Sequence, residues 1–341
     1  MDSNVGKYIL TVALNPAVDR CVVIKDLASF EEDSRLGEWS CVSVQGRWHP
    51  RDACLKIPGP NAEMISAGGK GINVARTLKV FGMQTRVTGF LGGETGEMIQ
   101  RLLRKEAIPS RFVFGKGRTR INLTMMDAKT RRVERRLEEG EAVTGAEIHL
   151  FLKEYARLLK NSSMVVLSGR NARGVPDSFY AKLIRLARSQ DVPAVLDTSG
   201  RSFRMGLRAG PWAIKPNIDE LREALGEELK SVAQIKRVVQ RLHRLGVKIV
   251  LISKGAEGAI GSNEEEIWCA RSAPVSDGHG VGCGDAFLAG FLYSFLKKDP
   301  LSAALRWAAA AGAANAMSLI PGNIRHCRVH ALFSRVKLNC W

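Results

Sequence analysis

Short apolar runs alternate with amphipathic stretches along most of the chain, and this alternation leaves few architectures open. The runs are YILTVAL (8–14), RVTGFL (86–91), MVVLSG (164–169), AVLDTSG (194–200), WAIKPN (212–217) and IVLIS (249–253), and each ends in small or polar residues. Unbroken apolar runs of this length suit strands buried on both faces, as in a parallel sheet. Between them, residues 70–81, 94–106, 145–160, 177–190, 217–225, 231–245, 284–298 and 301–318 read as helices. The alternation predicts an α/β fold, a doubly wound, mostly parallel sheet flanked by helices on both faces. Ligands of such sheets bind beyond the carboxyl ends of the strands. The polar tails Asn15–Asp19, Ser168–Gly169, Asp197–Gly200, Lys215–Asn217 and Ser253–Gly255 are therefore expected on one rim.

Two stretches break the pattern. Residues 111–137 alternate with period two and read as antiparallel strands, and residues 21–67 hold strand-like fragments, charges and three prolines without a clear helix. Together, as segments 20–67 and 111–137, they are expected to form a small β lid within one domain spanning 1–341. The last dozen residues carry no readable signal.

Composition excludes several classes. The N-terminus has an early acid and no long apolar run, so no secretory leader is expected. The most membrane-like stretch, WAAAAGAANAMSLI (307–320), is mostly alanine and reads as a buried helix, so no membrane partner is expected. The seven cysteines are odd in number and form no CxxC pair, which argues against a disulfide scaffold or zinc site and fits the cytoplasm. The net charge of +17 raises the question of nucleic acid, but aromatics are only 6% and no binding motif accompanies the basic runs. Solvated helix faces and a field that draws in an anionic small substrate explain the charge better.

Two glycine clusters carry the chemistry. In GHGVGCGDAFLAGF (278–291), glycines precede a long apolar run. Glycine lets a ligand approach the backbone, and a helix start supplies unpaired N–H groups and a positive dipole end, which together suit phosphate. An aspartate there repels phosphate, so Asp285 makes sense as the acceptor of a proton from an attacking hydroxyl, with Gly282, Cys283 and Gly284 holding the transferred group. A plain helix cap is the alternative for Asp285. The second cluster, AGGKGINVAR (67–76), is neither a Walker A loop nor GxGxxG. It suits a hydroxyl-rich ligand, with Asn73 offering donors and an acceptor.

AGGKGINVARTL and GVGCGDAFLAGF resemble the two signature motifs of the PfkB/ribokinase family of carbohydrate kinases, and the resemblance runs from about residue 8 to about 322. LTVALNPAVDR, TRINL, VLDTSG, KPNIDEL and SKGAEGA resemble the branch that phosphorylates sugar phosphates. The resemblance implies a ribokinase-like fold and transfer of the ATP γ-phosphoryl group, with Mg²⁺, to a ketohexose phosphate. Fructose 1-phosphate is the leading substrate. Tagatose 6-phosphate, fructose 6-phosphate or an inactive sugar-phosphate sensor are the alternatives. It implies Asp285 as general base and Gly282, Cys283 and Gly284 as the anion hole. Asp19, Gly69 and Asn73 would hold sugar hydroxyls, and Arg120 and Ser168 would reach the sugar's phosphate. Lys215, Asn217 and Glu220 would face the nucleotide phosphates and Mg²⁺, while Ser253, Gly255 and Gly258 would line the nucleotide side. A homodimer through the lid is the expected assembly. The chain departs from the pattern at Gly280, usually Thr, at Cys283, usually a small residue, and in a stretch between Asp19 and Gly68 about two dozen residues longer than usual. Lys25, Arg35, Arg47, Arg51 and Lys56 are the phosphate-reading candidates within it.

Overall fold

In the structure, a computed structural model, residues 7–24, 40–44, 63–127, 133–275 and 278–341 are described. In chain order the elements are β1 (Tyr8–Ala13), β2 (Ala17–Ile24), β3 (Ser40–Val44), β4 (Glu63–Gly68), α1 (Lys70–Val80), β5 (Thr85–Gly92), α2 (Gly93–Lys105), β6 (Ser110–Gly115), β7 (Arg120–Asp127) and β8 (Val133–Leu137). Then come α3 (Gly145–Leu159), β9 (Ser162–Ser168), α4 (Phe179–Arg188), β10 (Ala194–Asp197), α5 (Gly200–Leu207), β11 (Ala213–Ile214), α6 (Ile218–Leu225), α7 (Val232–Arg244), β12 (Ile249–Ser253), β13 (Ala259–Ser262) and β14 (Ile267–Arg271). The chain ends with α8 (Cys283–Leu296), α9 (Leu301–Ala316), α10 (His326–Phe333) and β15 (Lys337–Cys340).

The main sheet has the order β15-β14-β13-β12-β11-β10-β9-β1-β5-β6. Its strands are parallel from β6 to β12 and antiparallel from β12 to β15. Strand β9 shows why its run is unbroken. Val165 and Leu167 join Leu10, Phe151, Tyr180 and Phe203 on one face, while Met164 and Val166 join Ile9, Leu78, Phe291 and Leu305 on the other. Every side chain of such a strand is withdrawn from water, which favours apolar residues throughout.

The second sheet, β3-β8-β7-β2-β4, is built from the segments expected to form the lid. Strand β2 pairs antiparallel with β4 and parallel with β7. One expectation is corrected here: residues 110–115 are not lid. They form β6, which pairs in parallel with β5 at the edge of the main sheet. The helix–turn α2 returns the chain for a parallel pairing, and a half-covered edge strand alternates just as a lid strand does. The C-terminus is also structured, since α10 packs on α9 and β15 extends the sheet beside β14. The alanine-rich segment forms α9, packed on α8, and among the described residues no helix is long and apolar enough to cross a membrane. Cys21, Cys269, Cys283, Cys327 and Cys340 are free thiols.

Candidate active site

A cleft of about 1850 Å³ lies where the carboxyl ends of the main strands face the inner side of the lid. It is lined by Asp19, Gly69, Asn73, Arg120, Ser168, Lys215, Asn217, Glu220, Ser253, Gly255, Gly258, Gly282, Cys283, Gly284 and Asp285, all nominated from sequence. Lys25, Arg35, Arg47, Arg51 and Lys56 lie outside the described residues.

The chain enters α8 through Gly282, whose φ of 77° is left-handed. A β-carbon there would stand 2.6 Å from Pro321 Cβ, so both the backbone angle and the close packing require glycine. Asp285 sits in the first turn and is 4% exposed. Gly282 is the N-cap and no side chain caps the helix, which removes the capping alternative for Asp285. Instead its Oδ2 accepts a hydrogen bond of 2.8 Å from Asn73 Nδ2, which α1 brings across the cleft floor. Burial pushes the Asp285 carboxyl up to about 6; Lys70, Asn73 and Lys215 work against that and Asp197 adds to it. A carboxylate poised there can take a proton near neutral pH.

The turn before α8 differs in detail from expectation. The Cys283 N–H bonds back to the Gly280 carbonyl at 3.3 Å, while the N–H groups of Gly282 and Gly284 have no partner among the described residues. The Cys283 thiol donates to the His279 carbonyl at 3.2 Å, and burial raises its pKa to about 11, which makes it a packed group rather than a nucleophile.

Beneath the turn lies a charge cluster that sequence reading missed. Asp197, fully buried at the end of β10, accepts from Lys215 Nζ at 3.0 Å and from Lys70 Nζ at 3.3 Å. Burial alone would raise the Asp197 pKa, but the two ammonium groups outweigh it and hold the carboxyl below its usual range. Burial likewise opposes the charge of Lys70, yet Asp197, Asp285 and Glu220 overcome it and raise its pKa. Lys70 and Asp197 stand inside the quoted motifs, but nothing in their spacing reveals that they meet.

On the lid, Asn122 donates to Asp19 Oδ1 at 2.7 Å. A β-carbon at Gly68 would fall 2.1 Å from an Asp19 oxygen, so the glycine makes room for the carboxylate. Arg120 is held by the Asn15 carbonyl at 3.1 and 3.3 Å, the Glu138 carbonyl at 3.1 Å and Asn122 Oδ1 at 3.1 Å. Of its five N–H groups, these contacts leave one for a ligand. Arg118 precedes β7 and pairs with Glu138 at 3.2 Å, half-exposed. Arg135, missed in sequence, lies opposite Thr124 in the β7–β8 ladder, which places it on the face of Asn122 and Arg120. It lines the cleft, and its buried Nε has no partner among the described residues. Ser168 Oγ, also buried at the cleft wall, is likewise unpartnered.

On the opposite side Asn217 and Glu220 form a reciprocal capping box on α6, with Glu220 N–H to Asn217 Oδ1 at 2.7 Å and Asn217 N–H to Glu220 Oε2 at 2.8 Å. Their pattern in sequence therefore has a structural explanation as well as a ligand one. Asn217 bridges to Ser253, and Gly255 and Gly258 shape the turn after β12 with positive φ. No group of three or more His, Cys, Asp or Glu able to hold a metal occurs among the described residues.

Residues 60–319 match the model of the pfkB family carbohydrate kinases. The chain is 31% identical over 334 residues to 1-phosphofructokinase of Escherichia coli K12, covering 98% of both chains. It is 31% identical over 310 residues to the Bacillus subtilis 1-phosphofructokinase, covering 91% of this chain and 93% of that one. The E. coli phosphofructokinase-2 structure with potassium superposes with a TM-score of 0.82 at 24% identity, over 96% of this chain and 98% of that one. The protein is a carbohydrate kinase, and the chain belongs to the pfkB family.

Proposed function

We propose that the protein transfers the γ-phosphoryl group of ATP to the free primary hydroxyl of fructose 1-phosphate, giving fructose 1,6-bisphosphate. The observation that carries this reading is the Asp285 carboxylate. It is buried, raised toward neutrality and hydrogen-bonded to Asn73, at a helix start with two N–H groups that have no partner among the described residues. The full-length likeness to proteins named 1-phosphofructokinase supports this sugar.

In this reading Asp285 accepts the hydroxyl proton as the oxygen attacks phosphorus. Gly282 and Gly284 N–H groups and Lys215 stabilise the transferring group, and Asp197 keeps Lys215 and Lys70 in place. Asp19, Gly69 and Asn73 hold the sugar hydroxyls. Arg120 contributes its charge and one N–H, Arg135 offers the freer guanidinium fork, and Ser168 adds a hydroxyl toward the sugar's existing phosphate. Lys215, Asn217, Ser253, Gly255 and Gly258 line the nucleotide side. Mg²⁺ uses few protein carboxylates alongside nucleotide oxygens and water, so Glu220, with one oxygen spent on the helix cap, fits as its protein partner. When bound, Mg²⁺ neutralises charge on the phosphates. We place the enzyme in the cytoplasm, where thiols stay reduced and ATP is at hand, and its dimer contact at the lid.

A coupled ADP-release assay over fructose 1-phosphate, fructose 6-phosphate, tagatose 6-phosphate and fructose tests this directly. The highest kcat/KM falls on fructose 1-phosphate. Equal or better turnover of either 6-phosphate replaces the assigned sugar, and no ADP release with any of them leaves a sensor.

A further inference from the structure

Arg76 lies outside the cleft, yet its side chain is tied to three of the parts that build it. It projects from α1, and the residue is 5% exposed. Nε and Nη2 donate to the two oxygens of Glu106 at 2.6 and 2.9 Å. Nη2 also donates to the Ala67 carbonyl at 2.7 Å, one residue before the end of lid strand β4. Nη1 donates to the Pro321 carbonyl at 2.7 Å and to Asn73 Oδ1 at 3.2 Å. All five N–H groups are used, and only the planar guanidinium fork reaches so many acceptors at once.

The contact to Asn73 decides something chemical. Arginine has no acceptor, so the amide oxygen of Asn73 must face it. The NH₂ group then faces Asp285, where it donates at 2.8 Å. With the amide turned over, its oxygen would oppose the carboxylate and its NH₂ the guanidinium, two repulsions in place of two bonds. The Pro321 contact adds a second link. Thr77 Oγ1 donates to the Gly322 carbonyl at 3.1 Å, and Asn315 accepts from Gly322 N–H at 2.7 Å and donates to the Val281 carbonyl at 2.8 Å. Residues 321–322 are thereby fixed against the turn that carries Gly282 and Asp285.

We propose that Arg76 is a positioning residue for phosphoryl transfer: it sets the Asn73 amide toward Asp285 and locks that amide to the end of lid strand β4 and to the loop beneath the Gly282 turn. The inference rests on Asp285 being the base. Glu106 supplies the counter-charge that allows the guanidinium to be buried.

The test is Arg76→Lys, which keeps the charge but loses the fork. Its kcat for fructose 1-phosphate falls about tenfold or more while KM changes by less than about threefold. Asp285 is also faced by Lys70 from α1, Asp197 from β10 and Lys215 beyond β11, and all of these stay in place. Losing the oriented Asn73 donor therefore moves the acid limb of the pH–rate profile upward, by roughly half to one pH unit. In an Asn73→Ala background, Arg76→Lys lowers kcat by less than about threefold, because the route through Asn73 is already gone. Thr77→Val, which loosens the same loop without touching Asn73, lowers the melting temperature and leaves the acid limb in place. Full additivity with Asn73→Ala, an unmoved acid limb, or the same limb shift in Thr77→Val overturns the inference. If Arg76→Lys does not fold, Arg76→Gln with Glu106→Gln removes both charges together and is read the same way. Near-normal turnover in Asp285→Asn would instead defeat the assignment of the base, whereas an inactive Asp285→Asn beside an additive Arg76→Lys defeats only the role of Arg76.

Discussion

The rim of the main sheet and the inner face of the lid both line the cleft, but different residues build them. At the rim the groups around Asp285 bond to one another: Asp285 with Asn73, and the buried Asp197 with the buried Lys215 and the part-exposed Lys70. They stand on helix starts and strand ends whose other side chains fill two apolar cores. The lid presents Asp19, Arg120, Asn122 and Arg135 on strands whose Val18, Ala67 and Ile121 join a third apolar cluster with α1 and α2, and whose outer parts have only small clusters. Groups bonded to one another and anchored on these cores are held within the tolerance that chemistry needs. A lid with guanidinium donors suits recognition of an anion that enters and leaves. We propose that the rim carries the chemistry and the lid reads the phosphate.

The largest expected effect breaks the rim alone. Asp285→Asn keeps the fold and ATP-analogue binding but lowers kcat by on the order of 10²–10⁴, because the hydroxyl loses its proton acceptor. Steady-state kinetics with fructose 1-phosphate checks it, and a loss below about fivefold would leave Asp285 with no chemical role.

Glu220→Gln comes next. Glutamine can still close the capping box on α6, so the helix persists while the charge is lost. The Mg²⁺ concentration for half-maximal rate rises several-fold to about tenfold with sugar KM unchanged. A fall in melting temperature without a change in Mg²⁺ demand would make Glu220 a cap and no more.

The pH profile sharpens the rim side. Asp285 must be ionised to act, and its folded pKa is raised to about 6, so kcat/KM falls below that pH and approaches tenfold per unit. An acid limb near pH 4 would mean that the carboxylate reacts from an ordinary, wet environment.

The smallest effect is on stability. The folded pKa of Asp285 lies above its unfolded value of 3.8, so its contribution favours folding at low pH and is lost as pH rises through about 6. Asp285→Asn is therefore more heat-stable than wild type at pH 8, and the gap narrows toward pH 4.5. Thermal unfolding at the two pH values measures this, and a gap that widens on acidification contradicts the sign.

Much of this was legible in the sequence because burial on both faces writes unbroken apolar runs, and glycine clusters mark where backbone meets ligand. The α/β alternation, the helices read at 70–81 and 284–298, which the structure forms at Lys70–Val80 and Cys283–Leu296, and the cleft residues were read that way. What stayed hidden depended on pairing at long range. Strand β6 has the period-two pattern of any half-covered strand, and only its pairing with β5 assigns it to the main sheet. Arg135 stands in a basic run, and only the register with Thr124 turns it to the cleft. Lys70 and Asp197 are 127 residues apart. Arg76 reads as an ordinary helix cation until its five acceptors are located. The C-terminal strand β15 is short and mostly exposed, so it leaves no apolar signature.

The division between rim and lid is tested most directly by Arg120→Ala and Arg135→Ala, singly and together, assayed with fructose 1-phosphate and with fructose. Each single change lowers kcat/KM for the phosphorylated sugar by roughly 1.5–3 kcal/mol, the usual worth of a hydrogen bond to a charged group, with Arg135 at the upper end because Arg120 has one N–H to spare. The weak reaction with fructose stays within about twofold of wild type, because the groups at Asp285 are untouched. Equal losses with both sugars would mean that the two arginines only hold the lid together, and the assignment of phosphate reading to the lid would be wrong.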